Sequence, residues 1–481
     1  MASNHEESQL DTLHEECGVF GIYGSDDAAA NTALGLHALQ HRGQEAAGII
    51  SFDHNGFHKH HDSGHVGDIF NDNEVIQKLP GKMAVGHVRY STAGSKNTVS
   101  CQPIFAEIEG GAIALAHNGN LTNPLTLKNS LVKTGSIFNS SMDTEVILHL
   151  IAKSQLTNMA DRIIDALKKV KGAYSIVSIA NNSLFAVRDP NGVRPLSLGK
   201  LNDAYVVASE TCAFDIIGAK FIRDIAPGEM IIVNKDGLNS YQPFTKAENK
   251  FCIFEYIYFA RPDSYIDNKY VYNVRKNIGQ ILARESHVDA DVIVPVPDSG
   301  VPSAMGYALE SKIPFEYGII RNHYVGRTFI EPTDNVRNFG VKLKHNANKS
   351  VIEDKRVILV DDSIVRGTTS KKIVDMIRSC GAKEVHMRIS SPPTTHSCFY
   401  GVDTPDRKKL IAANHTLDEI ASLIGVDSLA YISLDGLYQA LDLDERNKTK
   451  PEYCDACFSG EYPIELVDKE NDNLPLLDSL L

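Results

Sequence analysis

One run in the second half of the chain constrains the fold most. Residues 357–370 read VILVDDSIVRGTTS, so that four apolar residues are followed by two adjacent carboxylates, a short loop and a polar segment. After the loop, apolar residues return at helical spacing, at positions 373, 374, 376, 377 and 380. The run therefore predicts a buried strand, a tight loop and a helix, which is the repeating unit of a parallel α/β sheet.

The loop of this run is suited to binding an anion. Free backbone N–H groups and the dipole at a helix N-terminus both favour negative charge, and Thr368 and Thr369 add hydroxyl donors. Asp361 and Asp362 would repel a phosphate, so they suit sugar hydroxyls or a bridging divalent cation. No Gly-Lys-Ser/Thr follows, which argues against a Walker loop. An ordinary helix N-cap with exposed acids is the alternative interpretation.

The pattern around this run predicts two different domains, as a length of 481 residues also suggests. From residue 17 to about 240, short apolar strands alternate with Gly, Asn and Asp turns, and helices are expected at 26–40 and 142–153; this indicates an α+β domain. From about 265, helices alternate with fully apolar strands, as in a parallel sheet covered on both faces. We assign 1–16 to an acidic leader, 17–245 to the first domain, and 246–481 to the second domain with its C-terminal tail.

Charge and composition exclude several classes of function. The formal net charge is -13, which argues against nucleic acid or an anionic membrane as the main partner, because phosphate contacts need clustered Lys and Arg. No apolar run is long enough to span a membrane, and the first sixteen residues lack the features of a secretory signal. We therefore expect a cytoplasmic protein, in which the eight cysteines are core residues, nucleophiles or metal ligands rather than disulfides.

The run at 357–370 resembles the substrate loop of type I phosphoribosyltransferases. The resemblance implies that Asp361 and Asp362 bind ribose hydroxyls, and that Ser363, Gly367, Thr368 and Thr369 hold the 5-phosphate of phosphoribosyl pyrophosphate. PVPDSG at 295–300 resembles the pyrophosphate turn of that family, which implies that Ser299 joins the two acids around Mg²⁺. NHYVGRTFIEPT at 322–333 resembles its flexible loop. The resemblance implies that Arg327 and Thr328 of this loop contact the substrate. Arg321, Arg337 and Lys342 are expected to be counter-charges to the pyrophosphate, although a solvated surface would explain each of these three equally well.

Four segments of the first half form a second constellation. CGVFGIYG begins at Cys17, HVRYST contains Arg89, HNGNLTN contains Asn118 and Gly119, and SMDTEVI contains Asp143. Taken separately, each has an ordinary interpretation: a core cysteine, a surface ion pair, a hairpin turn and a helix start. We expect HNGNLTN to form a sharp polar turn after an apolar strand.

Together with LQHRGQEAAGI at 39–49, these segments resemble class II glutamine amidotransferases, which are N-terminal nucleophile hydrolases with an αββα fold. The resemblance implies that Cys17 is the nucleophile, freed by cleavage after Glu16. Its α-amino group, with a pKa of roughly 7.7–8.0, would then serve as the base. Arg89 would grip the glutamine carboxylate and Asp143 the ammonium. The Asn118 amide and the Gly119 N–H would stabilise the oxyanion.

The cysteines near the C-terminus indicate a metal site without identifying the metal. Cys454 and Cys457 form a C-x-x-C pair, for which zinc, redox and cluster interpretations all remain open. CIFEYIYFARPDS at 252–264, SPPTTHSCFYG at 391–401 and CDACFSG at 454–460 resemble the iron-sulfur subgroup of glutamine phosphoribosylpyrophosphate amidotransferases. That resemblance implies one 4Fe-4S cluster per subunit, held by Cys252, Cys398, Cys454 and Cys457.

The combined resemblance implies transfer of ammonia from glutamine to phosphoribosyl pyrophosphate. The products are 5-phosphoribosylamine, glutamate and pyrophosphate, and the reaction is the first step of purine synthesis. It further implies inhibition by purine nucleotides and a homo-oligomer, expected to be a tetramer. Two alternatives stay open: a glutaminase with another acceptor, and a regulatory protein that binds phosphoribosyl pyrophosphate without turnover.

Overall fold

The computed structural model describes residues 14–15, 17–89, 101–321 and 345–470. Its first half contains short strands and helices in alternation. The helices are α1 (Ala28–Ala38), α2 (Val66–Ile69), α3 (Asn73–Gln77), α4 (Pro124–Lys133), α5 (Asp143–Lys153), α6 (Met159–Leu167) and α7 (Cys212–Ile217). The strands are β1 (His14–Glu15), β2 (Cys17–Tyr23), β3 (Ala46–Asp53), β4 (Gly56–Ser63), β5 (Met83–Arg89), β6 (Ile104–Ile108), β7 (Gly111–Leu121), β8 (Gly172–Ala180), β9 (Ser183–Arg188), β10 (Ser197–Leu201), β11 (Ala204–Ala208), β12 (Lys220–Asp224), β13 (Met230–Asn234) and β14 (Gly237–Tyr241).

Two antiparallel sheets of the first half pack face to face between helices. One has the strand order β12-β10-β11-β2-β5-β3-β4, and the other has β14-β13-β9-β8-β7-β6. Alternate side chains of facing strands, such as Val19, Val85 and Val177, fill the space between the sheets. α1 and α7 cover the first sheet, and α5 and α6 cover the second. The layers therefore follow the predicted order of helix, sheet, sheet and helix.

The second half is built around a parallel sheet with the order β18-β21-β22-β24. Its helices are α8 (Val271–Glu285), α9 (Val301–Ser311), α10 (Lys349–Ile352), α11 (Thr368–Ser379), α12 (Ile411–Asn414), α13 (Leu417–Ile424), α14 (Leu434–Gln439) and α15 (Ala456–Ser459). Its strands are β15 (Phe251–Cys252), β16 (Tyr265–Ile266), β17 (Lys269–Tyr270), β18 (Val292–Pro295), β19 (Ile319–Arg321), β20 (His345–Ala347), β21 (Arg356–Asp361), β22 (Glu384–Ile389), β23 (Val402–Asp403), β24 (Ser428–Tyr431) and β25 (Tyr453–Cys454).

Helices cover both faces of the parallel sheet, as the fully apolar strands predict. α8 and α9 contribute to the core on one face, and α11 and α13 to the core on the other. α8 and α9 approach closely at two glycines. A Cβ at Gly279 would lie 1.9 Å from the Ser303 carbonyl, and one at Gly306 would lie 1.9 Å from the Lys276 carbonyl. A side chain at either position would therefore force the helices apart.

The two halves are joined by more than the chain connection. β1 pairs with β23, so that His14 lies opposite Asp403 in the register. Near the C-terminal end of the described residues, Asp468 accepts a hydrogen bond of 2.7 Å from the backbone N–H of Leu125, at the N-terminus of α4. The end of the described part of the chain therefore contacts the first half.

None of the helices in the described part of the chain combines the length and the apolar character needed to cross a membrane.

Candidate active site

The predicted nucleophile and the predicted carboxylate-binding arginine are direct neighbours. Cys17 is the first residue of β2, and Arg89 is the last residue of β5. The antiparallel register places these two residues opposite each other. Cys17 is buried. β5 also pairs with β3 on its other edge, where Arg89 lies opposite Ala46. The sheet therefore brings a thiol and a guanidinium together at one strand end, from positions more than seventy residues apart in sequence.

Asn118 and Gly119 lie inside a strand, so the sharp turn expected at HNGNLTN is wrong. β7 continues to Leu121, and Asn118 and Gly119 pair with Ser175 and Tyr174 of β8. Gly119 has a φ of 137°, and a Cβ there would lie 2.1 Å from the Ala173 carbonyl, so only glycine fits. The Asn118 side chain is fully buried, and its Nδ2 donates to Ser209 Oγ at 3.4 Å. The strand thus holds both predicted oxyanion donors in fixed positions.

Asp143 is the first residue of α5 and is held by the same strand. One carboxylate oxygen accepts from the Leu121 backbone N–H at 3.0 Å, and the other lies 3.5 Å from His117 Nδ1. Burial by itself would raise the pKa of Asp143, but His117 and the backbone N–H groups of Leu121 and Thr144 outweigh it, so this pKa is lowered. The carboxylate is therefore ionised at neutral pH, as binding an ammonium group requires.

The predicted phosphoribosyl site lies at the carboxyl end of β21. Asp361 ends the strand and Asp362 follows, and both are buried. Asp362 accepts hydrogen bonds from the hydroxyls of Ser299 and Ser363. Burial is the largest influence on Asp362 and raises the pKa of its carboxyl group, although both serines and Arg275 oppose the shift. The acids and Ser299 thus meet as the resemblance predicts, and burial makes the ionised form of Asp362 less favourable.

The loop after these acids has a backbone geometry that suits the predicted anion site. Gly367 has a φ of 82° and is the N-cap of α11, which begins at Thr368 without a side-chain cap. The left-handed conformation favours glycine, and the uncapped helix start leaves N–H groups available to an anion. Thr368 is exposed and Thr369 is half-buried at this end.

Four of the contacts expected at the pyrophosphate end of this site fall outside the described residues. These are Arg327, Thr328, Arg337 and Lys342. Arg321, at the end of β19, forms an ion pair with Asp298 of the PVPDSG turn, so this guanidinium lies beside the predicted pyrophosphate turn.

The predicted cluster cysteines converge from three segments. Cys252 and Cys454 lie opposite each other in the pairing of β15 with β25. The Cys457 carbonyl accepts from the backbone N–H of Thr395 at 3.0 Å, which brings the 391–401 segment to the same place. Burial raises the pKa of Cys252 to about 12, and Cys398 also raises it. Burial likewise raises the pKa of the Cys457 thiol, and Cys252, Cys398 and Cys454 add to that shift.

Four thiols near one another, two of them buried and two half-buried, form a donor set whose chemistry fits an iron-sulfur cluster or zinc. Among the described residues, however, no three His, Cys, Asp or Glu side chains stand at the spacing that holds a metal ion. The remaining cysteines lie elsewhere. Cys101 and Cys212 are buried, and Cys380 is half-buried at the end of α11.

A buried ion cluster at the junction of the two halves is missing from the sequence predictions. Arg42 donates to Glu210 and, at 2.6 Å, to Glu255. Arg194 donates to Glu255 at 2.6 Å. These four side chains are fully buried. Arg42 and Glu255 do fall within segments that carry the resemblances, at 39–49 and 252–264. No pattern of neighbouring residues in either segment indicates a buried ion pair.

Comparison with known proteins assigns both halves. A glutamine amidotransferase domain family matches residues 87–215, and a phosphoribosyl transferase domain family matches residues 265–390. The amidophosphoribosyltransferase of Rhizobium etli is 56% identical over 470 residues, which cover 96% of this chain and 95% of that protein. The chain belongs to the amidophosphoribosyltransferase family.

Other members of the amidophosphoribosyltransferase family agree in sequence and in fold. The Bacillus subtilis enzyme is 48% identical over 95% of this chain and 96% of its own length. A solved structure described as the allosteric regulatory enzyme of purine biosynthesis is 48% identical, covers 94% of this chain and 97% of its own, and has a TM-score of 0.90. A second solved structure is that of the Bacillus subtilis glutamine phosphoribosylpyrophosphate amidotransferase complexed with ADP and GMP. It is 47% identical, covers 94% of this chain and 98% of its own, and has a TM-score of 0.89. The predicted order of a glutaminase fold and then a phosphoribosyltransferase fold is confirmed.

Proposed function

We propose that this amidophosphoribosyltransferase family member transfers ammonia from glutamine to phosphoribosyl pyrophosphate, giving 5-phosphoribosylamine, glutamate and pyrophosphate, as the first step of purine synthesis. The observation that carries the proposal is the register that sets Cys17 against Arg89. It places a nucleophile beside a cation that can fix the substrate carboxylate. A regulatory protein without turnover needs neither group.

At the first site, the Cys17 sulfur attacks the carboxamide carbon of glutamine. The carbon-sulfur bond forms, the amide nitrogen leaves as ammonia, and water then hydrolyses the thioester to glutamate. Arg89 holds the α-carboxylate of glutamine and Asp143 its α-ammonium group, while the Asn118 amide and the Gly119 N–H stabilise the oxyanion. Removing one such donor typically costs about 2.7–4 kcal/mol of transition-state stabilisation.

The base for this attack is the α-amino group of Cys17, which becomes available when residues 1–16 are removed. A neutral amine on the same residue can accept the thiol proton. Intact mass spectrometry of the purified protein tests this step. We expect the mass of a chain that begins at Cys17, and full glutamine turnover by a chain that keeps the leader would contradict it.

At the second site, ammonia attacks C1 of the ribose, and the bond from C1 to the pyrophosphate oxygen breaks. Asp361 and Asp362 orient the ribose hydroxyls, and the loop of Ser363, Gly367, Thr368 and Thr369 holds the 5-phosphate. Ser299, Asp361 and Asp362 would hold Mg²⁺, which supplies charge neutralisation to the departing pyrophosphate. Arg327 and Lys342 would add positive charge to the same leaving group.

Ammonia passes between the sites without entering bulk water, in which it would be protonated. Contacts at the junction support this arrangement. The Asn120 side chain donates to the Phe399 carbonyl at 3.2 Å, and a Cβ at Gly401 would lie 2.9 Å from the Gly119 Cα. The oxyanion strand of the first half therefore lies directly against a turn of the second half.

The iron-sulfur subgroup is the finer assignment that we favour. Cys252, Cys398, Cys454 and Cys457 would hold one 4Fe-4S cluster, which would link the three segments covalently. Replacing Cys457 with Ser should abolish bound iron and sulfide and the visible absorption, while Cys380→Ala, a matched change outside the quartet, should leave both unchanged. Stoichiometric zinc without sulfide in the wild-type protein would overturn the cluster assignment.

Several further properties belong to the same proposal. We place the domain boundary near residues 245 and 246 and the protein in the cytoplasm as a homo-oligomer, which we expect to be a tetramer. We also expect purine nucleotides to inhibit it, because a related structure is described as complexed with ADP and GMP.

The two-site scheme is tested most simply by Cys17→Ala. We expect glutamine-dependent product formation to be lost, while formation from added ammonium salts stays within about twofold of wild type, because the second site is untouched. Cys380→Ala is the matched control and should keep both activities. Loss of both activities in a folded Cys17→Ala protein would show that the two sites do not divide the chemistry in this way.

A further inference from the structure

Ser209 lies beside the predicted residues of the first site, although it belongs to none of the motifs that predict that site. It follows β11 and is fully buried. Its backbone N–H donates to the Val19 carbonyl at 3.0 Å, and its side-chain Oγ accepts from the Val19 N–H at 3.0 Å. Ser209 is therefore fixed by two hydrogen bonds to the nucleophile strand, two residues after Cys17.

The same hydroxyl oxygen also accepts from the side chain of Asn118. The Nδ2–Oγ distance is 3.4 Å, at the long end of the range for a hydrogen bond. An amide nitrogen carries two hydrogens, so one directed at Ser209 leaves the other for an oxyanion. Since the described residues provide no partner for the Asn118 Oδ1 atom, Ser209 is the contact that decides which end of the amide faces the nucleophile.

The two residues that follow keep this hydroxyl in place. Glu210 binds Arg42, and it also accepts from the Ser264 hydroxyl at 2.7 Å and the Arg261 backbone N–H at 2.8 Å. The Thr211 hydroxyl oxygen accepts from the Tyr265 N–H at 2.8 Å. Residues 209–211 are thus bound on one side to the nucleophile strand and on the other to the start of the second half.

We propose that Ser209 is a positioning residue for glutamine hydrolysis: its hydroxyl oxygen holds the Asn118 amide in the orientation that directs an N–H at the oxyanion, in register with Cys17. This inference rests on the proposed function of Asn118. Ser209 itself does not contact the reacting atoms. Its contribution is to the transition state rather than to the binding of glutamine, whose α-carboxylate and α-ammonium groups are held by Arg89 and Asp143.

The test compares Ser209→Ala with Ser178→Ala. Ser178 is a matched control because it is a buried serine of β8 whose hydroxyl has no hydrogen-bond partner among the described residues. For Ser209→Ala we expect kcat with glutamine to fall about tenfold, less than the loss of a whole oxyanion donor, with KM within about twofold. Turnover with ammonium salts should be unchanged in both variants, which also reports folded protein.

A double variant separates positioning from general destabilisation. If Ser209 acts through Asn118, adding Ser209→Ala to Asn118→Ala should lower kcat no further. The proposal is overturned if Ser209→Ala keeps the wild-type kcat, if its loss appears in KM, if ammonium-dependent turnover falls equally, or if the losses in the double variant multiply. A wild-type glutaminase rate in Asn118→Ala alone would instead sink the oxyanion assignment, so the two failures are distinguishable.

Discussion

Two buried pairs of acids in this protein have opposite electrostatic surroundings. Glu210 and Glu255, at the junction of the halves, are matched by the guanidinium groups of Arg42 and Arg194. Burial opposes ionisation of Glu210, but Arg42 and His41 outweigh it and lower the pKa of this carboxyl group. Its charge is therefore compensated within the fold.

Asp361 and Asp362, at the end of β21, show the contrasting arrangement. The side chain of Asp362 accepts from serine hydroxyls, and burial raises its pKa. Arg275 is close enough to act on it electrostatically, but two of its nitrogens donate to the carbonyls of Tyr256 and Ala260 instead. The first pair is therefore neutralised within the fold, whereas burial opposes the charge of Asp362, as we propose for a pair that binds a cation and a sugar.

The largest expected effect on folding comes from Glu210→Gln. It leaves Arg42 buried without its full counter-charge, and breaking a buried ion pair typically costs about 3–5 kcal/mol in the free energy of unfolding. Chemical denaturation at neutral pH measures this loss. Glu353→Gln is the control, because both side chains of its ion pair with Lys349 are exposed, and we expect no measurable change there. Equal stability of both variants would remove the distinction between the pairs.

Asp362→Asn should behave in the opposite way. A neutral amide relieves the cost of burying the charge, so we expect the free energy of unfolding to stay within about 1 kcal/mol of wild type. Turnover of phosphoribosyl pyrophosphate with ammonium salts should fall at least about a hundredfold, because the ribose and the cation lose a ligand. A large loss of stability with little loss of turnover would assign this pair to structure.

The effect of Mg²⁺ alone on thermal stability should also distinguish the two pairs of acids. A ligand that binds only the folded state at ten times its dissociation constant stabilises it by about 1.4 kcal/mol. We therefore expect added Mg²⁺ to raise the melting temperature of wild type and Glu210→Gln, but not of Asp362→Asn. An equal increase in all three proteins would place the cation elsewhere.

The smallest expected effect is a dependence on pH. Because the pKa of Glu210 is lowered in the folded state, its contribution to stability is present above the unfolded value of about 4.3 and is lost as the pH falls below it. The difference in unfolding free energy between wild type and Glu210→Gln should accordingly shrink below about pH 4. A constant difference down to pH 3 would contradict the ionised state of Glu210.

The sequence predicts the second site better than the first because of how each is built. Asp361, Asp362, Gly367 and Thr368 follow one another in a single strand, loop and helix, so local pattern and turn chemistry are enough. The flanking helix also agrees, since the helical spacing of apolar residues from 373 to 380 predicts a helix after the loop and α11 is found at Thr368–Ser379.

The first site is assembled by pairing between distant strands. Cys17, Arg89 and Asn118 are predicted only through resemblance to a family, and the turn expected at Asn118 is a strand. Ser209 and the Arg42–Glu210 pair are missed altogether, because no local pattern shows which buried polar side chains will meet. Their positions follow from strand register, which depends on the whole sheet.

We propose that nitrogen released by Cys17 in the first half is consumed in the second half without mixing with the solvent. The most direct test supplies glutamine labelled with ¹⁵N in its side-chain amide together with an excess of unlabelled ammonium salt, at a pH at which glutamine turnover dominates. Mass spectrometry of the trapped 5-phosphoribosylamine measures its ¹⁵N content. If ammonia does not mix with the solvent, nearly all of the product should carry the label. Dilution of the label to the composition of the ammonium pool would contradict it.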